Sequence, residues 1–225
     1  MHRALFIILF ISCCSFLIPT DNPTDLLVMK AAESQLPIFL AKIRPGDEGI
    51  YGFTENDDLD GCAVGKPFRM LVFNDDFYAA NKLVEEKNYI TIKNEWRVPV
   101  TIRDTNRTLL IVDGNPGNYT VSGMGAPLLA KELQQVSTGA WEHNSFYLLQ
   151  VSALLADFFV TERDNSFIDA QFVPLESAIM AIPALNKNKK PFYSLTEVEN
   201  MVKEELKTSP VNEPKKERSK QNNSK

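Results

Sequence analysis

Residues 95–102, EWRVPVTI, place Trp96, Val98, Val100 and Ile102 on one side of an extended chain and Glu95, Arg97, Pro99 and Thr101 on the other. That two-residue period predicts a strand with one buried and one solvated face. Pro99 has no N–H to give a ladder, so its place on the wet face predicts an edge strand or a bulge. Downstream come Thr108–Val112, the turn-rich run Asp113-Gly114-Asn115-Pro116-Gly117-Asn118 and the short apolar run Tyr119–Ser122. With the apolar run Tyr89–Lys93 upstream, these segments predict an antiparallel meander over about residues 89–122.

The flanks alternate in type. Pro67–Phe73 and Phe167–Val173 read as further strands, and Asp75–Lys87 reads as a helix between two of the strands. Pro127 stands where a first helical residue belongs, and Leu129, Leu133 and Val136 line one face of a helix ending near Gly139. The stretch Phe146–Val160 is apolar at both periods, and its aromatic residues favour a strand. From Asp25 to Ile43 the residues Met29, Ala32, Leu36, Leu40 and Ile43 recur at helical spacing, with Thr24 as N-cap and Pro37 interrupting or ending the helix. Ser194 and Glu197 form a capping box, Tyr193 and Val198 a hydrophobic staple, and Leu195, Val198, Val202 and Leu206 one face of a last helix. Helices and consecutive strands are segregated, which predicts an α+β fold: a twisted, mainly antiparallel sheet packed with several helices. No linker divides residues 21–207, so they are expected to form a single domain, with room for a small N-terminal sub-lobe before about residue 65.

Residues 1–20 set Arg3 ahead of an apolar stretch from Ala4 to Ile18, followed by the polar exit Thr20–Asp25. This is the order of a cleaved secretory signal, and the stretch is shorter than the about 20 apolar residues a spanning helix needs. Cys13, in Leu9-Phe10-Ile11-Ser12-Cys13, is the alternative lipid-bearing residue of a bacterial lipoprotein, in a setting only loosely like the usual one. Export to the periplasm, the outer envelope or the medium is therefore expected. Contact with a membrane is expected only through this segment or a lipid on Cys13. Beyond residue 20 the chain has a single cysteine, Cys62, so no intramolecular disulfide is available to the mature protein. A bacterial envelope suits that better than a eukaryotic secretory route, where disulfide frameworks are common. Stability must come from burial, and 44% apolar residues make that feasible.

Charge is uneven. The whole chain carries −5; Arg3 gives +1 and residues 208–225 give +3, leaving −9 on residues 21–207. Such an acidic body repels a phosphate backbone, so nucleic acid is excluded as a partner. The tail TSPVNEPKKERSKQNNSK is polar, carries two prolines and lacks aromatics, which predicts a disordered basic terminus.

Catalytic vocabulary is scarce. A cysteine nucleophile needs a nearby base, and the single pair on offer after residue 20 is Cys62 with His143. Cys62 follows an acidic segment, which raises a thiol pKa when catalysis needs it lowered. The run Asn56-Asp57-Asp58-Leu59-Asp60-Gly61 resembles the opening of an EF-hand calcium loop, with oxygen ligands at positions one, three and five before a turn glycine. Its twelfth position is Pro67 where that resemblance requires a bidentate glutamate, leaving Asp58 and Asp60 as an irregular calcium site or a plain acidic loop. Ser122-Gly123-Met124-Gly125-Ala126-Pro127 lacks the lysine of a phosphate loop and the glycine spacing of a nucleophile elbow, and reads as a tight turn. Tyr51, Phe53, Phe73, Phe77 and Tyr78 offer aromatic groups for a sugar or peptide groove, or for the core. No cofactor is implied. The expected function is a non-catalytic exported protein of the bacterial envelope that binds a protein, a peptide or a wall polymer. The alternatives are an exported hydrolase using carboxylates or the Cys62/His143 pair, and a protease inhibitor or pro-segment-like protein working through the sheet edge at Pro99.

Overall fold

A computed structural model describes residues 22–208 apart from 81, 85–86, 139–144 and 164–165. The elements run α1 (Pro23–Leu40), β1 (Ala63–Val64), β2 (Phe68–Phe73), α2 (Asp75–Ala79), β3 (Ile90–Ile102), β4 (Thr105–Asn115) and β5 (Asn118–Gly125). They continue as α3 (Pro127–Ser137), β6 (Ser145–Val151), β7 (Ala156–Arg163), β8 (Ser166–Pro174), α4 (Glu176–Ala181), α5 (Pro183–Asn188) and α6 (Leu195–Thr208). The strands make one sheet in the order β5-β4-β3-β2-β6-β7-β8, with β1 beside β3. Each pairing is antiparallel except β2 with β6, so the fold is α+β with a mainly antiparallel sheet. No described helix is long and apolar enough to cross a membrane.

The meander is present and longer than its apolar runs suggested. β3 and β4 meet through Arg103 and Asp104, both at positive φ (49° and 61°), the geometry of a two-residue type I′ turn. Asp113–Asn115, read as loop, continue β4, and the chain reverses over Pro116 and Gly117 alone, with Gly117 at φ 89°. Proline followed by a left-handed glycine is the type II pattern, which explains so short a reversal.

Pro99 is the main correction: it lies neither on a wet face nor in an edge strand, although the β3–β4 register does shift just after it, between Val100 and Thr101, as the alternative of a bulge expected. It is buried, and β3 lies inside the sheet between β4 and β2 with β1. Its carbonyl accepts from Gly65 N–H at 2.8 Å, so its main-chain polar edge faces the break where β2 has ended and β1 has not begun. Gly65 opposite it lies past the end of β1, so the one donor the proline lacks is missing between β1 and β2, outside their continuous ladders.

Cross-strand register puts two helix groups on one face of the sheet. Val28, Ala32 and Leu36 of α1 pack with Phe53 against Trp96, Val98, Val100, Leu110 and Val112. On the other half of that face Phe77, Leu185, Val198 and Val202 cover Leu71, Leu149, Phe158, Val160 and Phe172. The opposite face is covered by α3, whose Ala130 and Leu133 meet Met70, Leu109, Leu148 and Phe159. Residues before 65 thus belong to the common body: α1 packs on the sheet and Ala63–Val64 pair with Thr101 and Val100.

Four local expectations change. Asn22, not Thr24, caps α1, its side chain accepting from Thr24 N–H at 3.0 Å, and Pro23 takes the first turn. Pro37 lies within α1, near its end, rather than stopping it. The helix expected over 75–87 ends at Ala79. The carbonyls of Phe77, Tyr78 and Ala80 accept from the Lys203 ammonium of α6, which holds the chain out of a continuing helix. Phe146–Val160 is a hairpin, β6 turning through Ser152–Leu155 into β7. The last helix follows its sequence closely: Ser194 N–H donates to Glu197 at 2.9 Å, Glu197 N–H to Ser194 at 3.4 Å, and Tyr193 and Val198 are buried.

Candidate functional site

The loop joining α1 to β1 is built as a fixed wall. After Arg44, a turn closed by Asp47 N–H leads into a single turn of tight helix, Glu48–Tyr51, which ends at Gly52 in the left-handed region (φ 82°). A side chain at Gly52 would overlap the Arg107 carbonyl oxygen and Pro127, so glycine is required for this close approach to β4 and α3. Phe53 enters the core under α1. Asp57 then anchors the loop: it accepts from Arg107 of β4 at 2.8 Å and from Thr54 N–H at 2.7 Å. Burial works against its charge, yet the Thr54 and Arg107 donors outweigh it and hold the carboxyl below its ordinary range. Asp58 accepts from Asp60 N–H at 3.1 Å and so opens a short turn over Leu59–Gly61 that delivers Cys62.

These residues face the C-terminal half of α1 across a cleft of about 610 Å³. Leu36, Pro37 and Leu40 form the helix side, and Leu59, Cys62 and Val64 the loop and strand side. Glu33 and Asp60, both exposed, stand at its borders. The Cys62 thiol is half-buried, and its pKa is raised to about 11 by that burial and by Asp57, Asp58 and Asp60, against a smaller opposing pull from Arg107. At neutral pH it is a thiol, a poor nucleophile and a poor metal ligand.

The sequence candidates therefore part company. Cys62 and Asp60 meet in the cleft. Of the two calcium candidates, Asp60 lines the cleft while Asp58 serves its own turn, and their neighbour Asp57 is turned inward to Arg107. No group of three or more His, Cys, Asp or Glu side chains able to hold a metal occurs among the described residues. His143 and Cys13 lie outside the described residues. Ser122 donates to Asp113 across the β4–β5 pair, and its segment stays in β5 until Ala126, a left-handed residue immediately before α3. Among the aromatics, Phe53, Phe73 and Phe77 are core, whereas Tyr78 is 40% exposed.

Sequence reasoning did not single out a second polar group, at the start of α4. Glu132 of α3 accepts from Glu176 N–H at 3.1 Å, and Ser177 accepts from Asp157 N–H at 3.0 Å and donates to the Asp157 carboxylate at 3.3 Å. Burial raises the pKa of both Glu132 and Asp157. Glu132 thereby caps a helix whose own N-cap, Leu175, has no side chain to do so, while Asp157 holds the Ser177 side chain of its first turn. No sequence signal marks this, because the capping acceptor, Glu132, lies on another element. Glu199 of α6 is only 7% exposed, has an Oε1 with no hydrogen-bond partner, and is raised by desolvation to about 7. No family model matches this chain, and neither a curated protein nor a solved structure is similar to it, so its chemistry is read from its own residues.

Proposed function

We propose that this is a non-catalytic binding protein exported to a bacterial envelope, and that its ligand seats in the cleft between α1 and β1. The observation that carries the reading is the cleft itself: about 610 Å³, walled by Leu36, Leu40, Leu59 and Val64, the size and lining of a ligand site. Its one classical nucleophile, Cys62, is held protonated, and Asp57 is committed to Arg107, so the chemistry available there is recognition rather than turnover. Export rests on Arg3 and the apolar run that follows it. The hydrolase reading keeps some support from the two raised carboxyl groups of Glu132 and Asp157. The inhibitor reading loses one surface it could have used, because Pro99 is not at an edge.

The test is a photo-crosslinking amino acid placed at Ala41, an exposed residue lining the cleft, in the full chain expressed with its leader in its native cells. A control chain carries it at Leu155, 81% exposed on the β6–β7 turn. A partner joined from position 41 and not from 155 is the expected result. Identical products from both positions, or none from either, reject the cleft as the site. A hydrolytic turnover abolished by Asp157→Asn at unchanged stability would favour the enzyme instead.

A further inference from the structure

The charges of the cleft assign its ligand a class, and this step rests on the reading that the α1–β1 cleft is the binding site. We infer that the cleft takes a peptide segment presenting apolar side chains beside a lysine or arginine. The apolar wall meets the first requirement. Glu33 on α1 and Asp60 on the facing loop meet the second, since neither forms an ion pair among the described residues and both are exposed. The guanidinium that acts on the Cys62 sulfur, that of Arg107, is already bound to Asp57. Cys62 reports the resulting field from inside the cleft: Asp57, Asp58 and Asp60 disfavour an anion at its sulfur, with Arg107 opposing them. The same field stabilises a cation placed there and repels a carboxylate. The body as a whole, at −9 over residues 21–207, steers a basic partner in the same direction. A peptide fits better than a small cation because β1 lines the cleft and, among the described residues, is paired on one side only, by β3. A main chain lying there therefore has a strand edge to bond.

Cys62 also supplies the readout. The full-length protein is alkylated with iodoacetamide at pH 8, and modification of the tryptic fragment carrying Cys62 is followed by mass spectrometry. Two capped peptides are compared, Leu-Lys-Leu-Lys-Leu and Leu-Glu-Leu-Glu-Leu, which share their length and leucine spacing and carry opposite charge. Protection by the lysine peptide and not by the glutamate peptide is expected. It should weaken about fivefold in the double variant Glu33→Gln/Asp60→Asn, and again on raising the salt. Protection is compared as a ratio within each variant, because removing Asp60 changes the thiol itself. An unchanged thermal midpoint verifies that the double variant is folded. Equal protection by both peptides overturns the charge assignment and leaves a cleft that binds apolar chain. Protection by neither overturns the peptide assignment, while position-specific crosslinking from residue 41 decides the cleft separately. Protection by the lysine peptide that survives the double variant intact also overturns it.

Discussion

Ala126 shows how one residue can be out of character with its backbone. It sits at φ 59° and ψ 54°, between β5 and α3, where an L side chain costs roughly 1–2 kcal/mol and glycine costs nothing. Its carbonyl still accepts the first helical bond, from Ala130 N–H at 3.0 Å. Ala126→Gly is expected to raise stability by about 0.5–1 kcal/mol, since part of the relief is lost to the freer unfolded chain. Urea unfolding should show a higher midpoint at unchanged slope, and a lower midpoint would mean that the methyl group is needed for packing. Arg103 and Asp104 carry the same strain in the β3–β4 turn, and replacing them by Asn-Gly is expected to act in the same direction. Asp57 illustrates the opposite case, a residue held by its partners. Its carboxyl lies below the unfolded value, so its contribution is present above about pH 3.8 and is lost as pH falls through the lower folded value. Asp57→Asn is therefore expected to cost about 1 kcal/mol at pH 7, kept small by solvent screening at Arg107, and progressively less as pH falls below 3.8. A penalty that did not shrink on acidification would remove the ion pair from the account.

At the level of elements, what the sequence made legible was local. α6 was readable because its box, staple and apolar face lie within fourteen residues, and all three are formed. Ser194→Ala should cost about 1 kcal/mol, seen as a lower urea midpoint, and Ser194→Gly only a few tenths. The meander was readable because its reversals are short and local, although the burial of Pro99 and of both Leu109 and Leu110 breaks strict alternation and the register shifts at Val100/Thr101 and Ile111/Val112. What was not legible depends on residues far apart. The early end of α2 is set by Lys203, 126 positions from Phe77. The start of α4 is capped by Glu132, 44 positions from Glu176. Pro99 was misread because period-two alternation reports two faces and says nothing about how many neighbours a strand has. Half of the candidate site was visible as the acidic run around Cys62, while its other wall, Leu36 to Leu40, looked like ordinary core-facing helix. No local pattern announces that two segments twenty residues apart leave a gap between them.

The whole molecule is one sheet clamped by helices, and its pH response follows from what those helices bury. Glu199 enters the interface of α6 with an unpartnered oxygen, and desolvation lifts it from 4.5 to about 7. Lys203, one turn on, does not pair with it, because its ammonium donates to the carbonyls of Phe77, Tyr78 and Ala80. In the unfolded chain Glu199 ionises near its ordinary value while the folded protein still holds the proton. Stability consequently falls as pH rises from about 4.5 through 7 and levels off above it. Glu132 and Asp157 are raised as well, so their contributions have the same sign. Glu199→Gln keeps the shape, removes the charge and should flatten this part of the profile. At pH 8.5 the variant is expected to be more stable than the parent by about 2 kcal/mol, allowing for partial hydration of the carboxylate, and near parity at pH 4. Denaturant unfolding at several pH values from 4 to 9 tests this directly. Parallel profiles for parent and variant would mean that Glu199 ionises without penalty in the folded protein, through water or a partner at the α6 surface. Convergence at low pH with divergence above neutrality would locate the alkaline weakness of the molecule in the helix that closes its larger core cluster.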